Sequence, residues 1–236
     1  ARLLNDRLVW VALKNTTIIL VMNLVLLTPI SFMVAVLFCK PLRASGFSKA
    51  MIYSPAIIAP IMVGLLWLFI LDPRIGLLNS ILEATGLGAW KQDWIGGTVL
   101  TPYSVGIIYM WQTMGFYLTI FYAGLKIIPS EIYQAASVDG ANARQRLFSI
   151  TIPLMRGTIW IVVVLIVTGC FKIFETVYQL TNGSPNHLSE VLVTYMYHTT
   201  FVSSEYGYGM AIAMFTFLLT MAGSIGYIRA NVKRGV

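Results

Sequence analysis

Tyr109, Gln112, Thr113 and Phe116 recur at i, i+3, i+4 and i+7, the spacing that stacks side chains on one face of a helix. Two aromatic rings, an amide and a hydroxyl in one stripe make a recognition surface rather than a reaction centre. Ring faces cover the C–H faces of a pyranose, and the amide and hydroxyl satisfy its hydroxyl groups, as a mostly apolar site with few placed polar groups requires. The competing reading is that these polar groups cement contacts between helices. A second constellation, Lys172 and Glu175 at i and i+3, has the chemistry of an ion or proton relay. The long side chain of Lys172 can instead snorkel toward water, and a structural or gate-side role is the reading we favour.

Reaction chemistry is otherwise missing. The chain has no nucleophile elbow, no zinc motif and no phosphate-cradling glycine loop, so no catalytic residue is assigned and it is not expected to hydrolyse a nucleotide itself. His187 and His198, eleven residues apart, lack the spacing of a ligand pair, and no metal site is expected. Cys39 and Cys170 fall in different places along the chain, which makes a disulfide improbable. The net charge of +7 does not call for a nucleic-acid partner, because no run of cations is interleaved with stacking aromatics.

The elements that must position the stripe follow from composition. With 58% hydrophobic residues, 11% charged and a mean hydropathy of +0.78, the chain is far from a soluble domain, in which about a quarter of residues are charged. Five stretches, 16–38, 50–71, 99–125, 157–180 and 206–228, are long enough to cross the hydrocarbon as helices, which takes about 20 residues. They are continuous rather than alternating, so the expected fold is all-α: a polytopic transmembrane helix bundle over residues 1–236, a single domain with membrane lipid around it. At 1.5 Å per residue, Tyr109 lies roughly 15 Å from the start of its span, Ile166 roughly 14 Å and Cys170 roughly 20 Å from the start of theirs. The two helices can therefore meet at similar depth.

Cations divide the loops into two sides. Lys40, Arg43, Lys49, Lys126, Arg144, Arg146, Arg156, Arg229, Lys233 and Arg234 fall on one side, which the positive-inside rule makes cytoplasmic. Pro29, Pro55 and Pro60 are expected to kink their helices, and Leu77, Leu78, Ile81 and Leu82 to form a short amphipathic segment flat on the outer surface, with Trp90 and Trp94 as anchors.

The cytoplasmic side carries a polar loop, 126–153, that contains two short helices. Ser130 is expected to cap the first, Glu131 suits its positive end, and Gly140 supplies the left-handed residue that stops it. Ile132, Ala135, Ala136 and Asp139 should share a narrow face that can enter a groove. Asn142 and Gln145 read as a capping box, and the second helix should end before Pro153.

Gln134-Ala135-Ala136, three residues, Gly140, nine residues, Ile150, one residue, Ile152-Pro153 resembles the EAA signature of ABC importer permeases. It departs at Gln134, where that family usually has Glu, and at Ile152, where it usually has Leu. The resemblance implies that the loop docks on an ATPase subunit through Glu131, Gln134, Ala135, Ala136, Asp139 and Gly140. It implies partners as well: a second permease subunit, two ATPase subunits that hold ATP and Mg, and an extracellular or periplasmic sugar-binding protein. This chain itself would bind no cofactor. Anchored on this motif, the chain resembles maltose-type permeases, and the resemblance implies that the positions corresponding to their sugar contacts are Tyr109, Gln112, Thr113, Phe116, Ile166 and Cys170. Phe174-Glu175 and the stretch from Tyr178 to Pro185 resemble an outward loop of the same group. Such permeases commonly have six helices, so one is expected upstream of this sequence. The implied function is import of a sugar or oligosaccharide across a bacterial cytoplasmic membrane by alternating access. Import of glycerol phosphate or another small polar solute is the alternative within the class. An ion-driven secondary transporter using Lys172 and Glu175 is the alternative outside it.

Overall fold

The computed structural model describes residues 2–39, 45–97 and 99–232. Lys40, Arg43, Lys233 and Arg234 lie outside them, and the side chains of Lys49 and Arg229 are likewise not described. Every regular element among the described residues is helical.

After one turn of helix, α1 (Arg2–Asn5), Asp6 caps α2 (Arg7–Phe38) by accepting from the Leu8 N–H at 2.9 Å. The first span is thus one 32-residue helix, about 48 Å long and longer than the hydrocarbon is thick. It lies along α6 (Thr101–Ile127), where Ile19, Leu27, Ile108, Leu118 and Phe121 are buried and Phe32 meets Phe121 edge to face at 5.4 Å.

The second span is two helices rather than one. α3 (Ser45–Ile57) and α4 (Pro60–Leu71) pass as a membrane span only together, over Ala50–Ile57 and Pro60–Leu71, and meet at 106°. Pro60 has no N–H to continue a helix and restricts Ala59, which sits at ψ 136°. Pro55, by contrast, is accommodated inside α3 and Pro29 inside α2.

The fourth span also differs from expectation. α10 (Arg156–Phe171) stops, and the chain resumes as α11 (Glu175–Thr181). Residues 171–175 contain neither proline nor glycine, so the break comes from packing. α11 lies on α4, with the Gln179 Cβ so close to Gly64 that an added methyl there would sit 2.6 Å away. Lys172 and Glu175 stand at this break, both exposed, and no ion pair joins them among the described residues.

Among the described residues two helices are long and apolar enough to cross a membrane, Arg7–Phe38 and Tyr206–Ile225, or up to four if each bent pair counts as one span. The five expected spans included 99–125, which forms α6. Its 27 residues are long enough, but thirteen of them are buried against neighbouring helices. A helix enclosed by protein need not present a lipid-like surface, which is why it tolerates Gln112, Thr113 and several tyrosines.

The amphipathic segment forms α5 (Leu77–Ala84), with Leu77 and Ile81 exposed. Trp94 donates its Nε1–H to Asn79 Oδ1 at 2.9 Å, whereas Trp90 is exposed. Two further helices complete the bundle, α12 (Leu192–Tyr197) and α13 (Tyr206–Val232). Asp6 ties them to the start of α2 by accepting from the hydroxyls of Tyr195 and Tyr208, each at 2.6 Å.

Candidate functional site

The polar loop is built as two helices held together. The first, α7 (Ser130–Val138), begins at Pro129 with no side-chain cap, so Ser130 is inside the helix instead of capping it. The fixed φ of Pro129, −60°, shapes that entry in place of a hydroxyl. Glu131 occupies the first turn, as its charge favours. At the far end Gly140 has φ +77°, its N–H donates to Ser137 at 3.2 Å, and the Ala141 N–H donates to Ala136 at 2.9 Å. That pair of bonds is a Schellman motif, the left-handed stop anticipated for Gly140.

Asn142 opens α8 (Ala143–Arg146) with a reciprocal capping box: it accepts from Gln145 N–H at 2.9 Å and donates its own N–H to Gln145 Oε1 at 2.8 Å. The second helix does not end before Pro153. It passes through a π-helical turn, Leu147–Thr151, into α9 (Ile152–Leu154). The wider turn absorbs the proline, whose missing N–H leaves a carbonyl free, and Thr151 Oγ1 donates to the Arg146 carbonyl at 3.1 Å within it. Two side-chain bonds staple the helices to each other, Tyr133 to Thr151 at 3.1 Å and Arg146 to Ser137 at 3.0 Å.

These staples decide which face of α7 is free. Ala136 is buried beneath the rod beside Tyr133, whereas Glu131, Gln134, Ala135 and Val138 are exposed, Val138 at 88%. Of the expected face Ile132/Ala135/Ala136/Asp139, three residues are exposed and only Ala136 is buried; Glu131, Gln134 and Val138 extend the outward surface. Asp139 and Gly140, at the helix stop, are exposed as well.

The structure divides the aromatic stripe of α6. Tyr109 is buried and its hydroxyl lies over Gly169, 3.4 Å from the hydroxyl of Tyr117. Ile166 and Cys170 are buried in the same core cluster as Tyr109, and the place where Tyr109 meets α10 is Gly169, next to Cys170. Gln112 is also buried, and its Nε2 donates to the carbonyl of Ile58 at 3.3 Å, in the break between α3 and α4. Thr113 Oγ1 donates back to the Tyr109 carbonyl at 2.7 Å. Phe116 is 51% exposed. Tyr109 and Gln112 thus face neighbouring helices of the same chain, while Phe116 faces away from them.

One cluster escaped the sequence reading. His187 Nδ1 lies 2.9 Å and His198 Nδ1 2.5 Å from the same oxygen of Glu190, a carboxylate with no exposure at all. Separation in sequence hid the pair: the loop after α11 folds back, with Asn182, Asn186 and His187 at positive φ. The available signal was a glutamate with histidines at −3 and +8 in a polar loop. Cys39 is exposed and Cys170 buried, and neither forms a disulfide.

A family model described as binding-protein-dependent transport system inner membrane component matches residues 5–234. The chain is 35% identical over 181 residues to a probable ABC transporter permease protein, YurN, of Bacillus subtilis, covering 77% of this chain and 62% of that protein. It is 30% identical over 225 residues to the arabinooligosaccharides transport system permease protein AraP of the same organism, covering 94% of this chain and 71% of the relative. Over 232 residues it is 28% identical to the trehalose/maltose transport system permease protein MalF of Thermococcus litoralis, with coverage of 98% and 77%. The chain thus spans less than two thirds of the first relative's length and more of the others. Among solved structures, a bacterial ABC transporter involved in the import of alginate superposes with a TM-score of 0.88 over 98% of this chain and 81% of that one, at 20% identity. That likeness establishes the all-α fold.

Proposed function

The chain belongs to the family of binding-protein-dependent transport system inner membrane components, and from that premise we propose that it forms half of the translocation pathway of an ATP-driven importer for a sugar or oligosaccharide. The observation that carries this reading is α7: a short rod with a fixed stop, stapled to α8, whose outward residues Glu131, Gln134, Ala135 and Val138 are exposed among the described residues. A rod of this kind transmits a push. Its staples lead through the π-helical turn to α9, and the helix over Ala143–Leu154 meets α10 at 67°. α10 carries Gly169, against which the Tyr109 hydroxyl lies, between Ile166 and Cys170 in the chain.

In this reading two partner ATPase subunits hold ATP with Mg and close on it, α7 moves with them, and the α10–α6 contact shifts between inward-open and outward-open arrangements. The motor must interact differently with the two states, since a ligand shifts an equilibrium only by its differential affinity. A second permease subunit supplies the other half of the pathway and an external binding protein delivers the solute, at the cytoplasmic membrane of the cell. Tyr109, Gln112, Thr113, Phe116, Ile166 and Cys170 mark the level of the solute site. Support for a sugar comes from relatives named for arabinooligosaccharides and for trehalose and maltose, and from the aromatic and amide groups of α6.

A second reading has one observation in its favour: a relative from Agrobacterium fabrum, 29% identical over 224 residues, is named as an sn-glycerol-3-phosphate permease. A phosphate ester is best held by arginine, and α6 contains none, so the sugar reading is preferred. The test is to purify the complex through this chain and measure its ATPase activity with binding proteins loaded with a sugar or with glycerol phosphate. Stimulation by a sugar-loaded receptor supports the proposal. Stimulation by glycerol phosphate alone favours the second reading, and the absence of any ATPase subunit from the complex contradicts both.

A further inference from the structure

The cluster around Glu190 poses a problem of charge. The carboxylate is fully buried, its Oε2 has no hydrogen-bond partner, and no lysine or arginine among the described residues pairs with it. An isolated carboxylate in such a place is costly unless a positive group neutralises it. Its neighbours are imidazoles, and their roles are constrained. His198 Nε2 lies 3.1 Å from Asn182 Oδ1, an acceptor, so the Nε2–H donates there. With that proton on Nε2 and the ring neutral, Nδ1 stands 2.5 Å from Glu190 Oε1 with a lone pair, whereas a protonated ring would donate to it. His187 Nδ1 approaches the same oxygen at 2.9 Å. Two imidazole nitrogens thus converge on one oxygen of a buried carboxylate, and a cation among them, a proton or a metal ion, would neutralise it.

We propose that His187, Glu190 and His198 are the ligands of a divalent transition-metal site. Their ligand atoms lie within 4.8 Å of one another. In a tetrahedral site with metal–ligand bonds of about 2.0–2.2 Å, ligand atoms stand about 3.3 Å apart, so the observed 2.5 and 2.9 Å require the side chains only to open slightly. Two imidazoles and one carboxylate select Zn2+, Co2+ or a similar ion and disfavour Mg2+ and Ca2+, which take oxygen ligands. Asn182 supplies the outer hydrogen bond that orients a ligating histidine. His187 is half-exposed, leaving a solvent side for a water in the fourth position.

The surroundings are made to hold this arrangement. Gly183 lies so near that a Cβ there would sit 2.5 Å from Glu190 Oε1. Asn15, on α2, donates to the carbonyls of Leu188 and Glu190 at 2.8 and 2.9 Å. Asn15 thus holds the 182–191 loop to α2, and a metal would pin the same loop to the π-helical turn His198–Val202.

The test uses the full chain with the subunits that co-purify with it, prepared without a polyhistidine tag, with Cys39→Ser to remove an exposed thiol, and stripped with a chelator. Titration with Co2+ should give one equivalent per copy of this chain, with tetrahedral ligand-field absorption that Zn2+ displaces and Mg2+ does not. His187→Ala, at a half-exposed position, should weaken binding by at least about tenfold, and Glu190→Gln should abolish it. Should Glu190→Gln fail to fold, His187→Ala decides alone. No saturable binding, or an affinity unchanged by His187→Ala, overturns the proposal.

Discussion

The amide of Gln112 donates to the backbone carbonyl of Ile58 at 3.3 Å, joining the middle of α6 to the point where α3 and α4 part at 106°. A broken helix leaves carbonyls without their usual partners, and inside a membrane water is not there to replace them. Gln112 is buried and answers one of them, so the residue that the sequence marks for recognition also holds a hinge.

Gln112→Leu keeps the size of the side chain and removes the donor. The Ile58 carbonyl is then unsatisfied, at a cost of about 1–3 kcal/mol, and purified protein should melt at a lower temperature. Gln112→Glu should be at least as damaging, because it sets an acceptor against an acceptor. Equal melting temperatures for wild type and Gln112→Leu would remove the hinge role.

Gly140 stops α7 at φ +77°, where a β-branched residue is strained, yet a Cβ there meets nothing within 4 Å. Gly140→Val should therefore leave the bundle folded and disturb only the rod's end, uncoupling ATP hydrolysis from uptake. Gly140→Asn should recover most coupling, since Asn tolerates the left-handed region. Paired measurements of uptake and ATPase activity in proteoliposomes check both. Normal uptake by Gly140→Val would deny the loop its role.

Asp6 should make stability depend on acid. Partial burial works against its charge, but hydrogen bonds from Tyr195, Tyr208 and the N–H groups of Leu8 and Val9 outweigh it and hold the carboxyl below the usual carboxylate range. A carboxyl whose pKa is depressed on folding adds stability above its unfolded value and loses it as pH falls through the folded one. Melting temperature should thus drop below about pH 4, and less steeply in Asp6→Asn, which already lacks the contribution. Parallel acid limbs for the two proteins would contradict this.

Parts of the loop were legible because their signals are local: Gly140 and the Asn142–Gln145 box each act within a turn, whereas the Ser130 cap and the stop before Pro153 were not found. Pro60 marked a kink but not its size, which α6 and α11 set by packing on the two halves. The break after Phe171 has no local signal at all, only the fit of Gln179 against Gly64. On α7 only Ala136 departs from the expected outward face, because Tyr133, one turn before it, turns inward to reach Thr151, eighteen residues later. Glu190 and His198 needed the 182–191 loop to close before their chemistry could be read.

The central claim is that the exposed stripe of α7 grips a cytosolic ATPase. Ala135→Cys in a Cys39→Ser background, which leaves only the buried Cys170 beside it, tests it most directly in intact cells and in the purified complex. The account predicts a bifunctional thiol cross-link to the nucleotide-hydrolysing subunit, with a yield that changes on adding ATP, and protection from a membrane-impermeant reagent applied outside. Labelling of that cysteine from the external medium, with no cross-link to any ATPase, would contradict it.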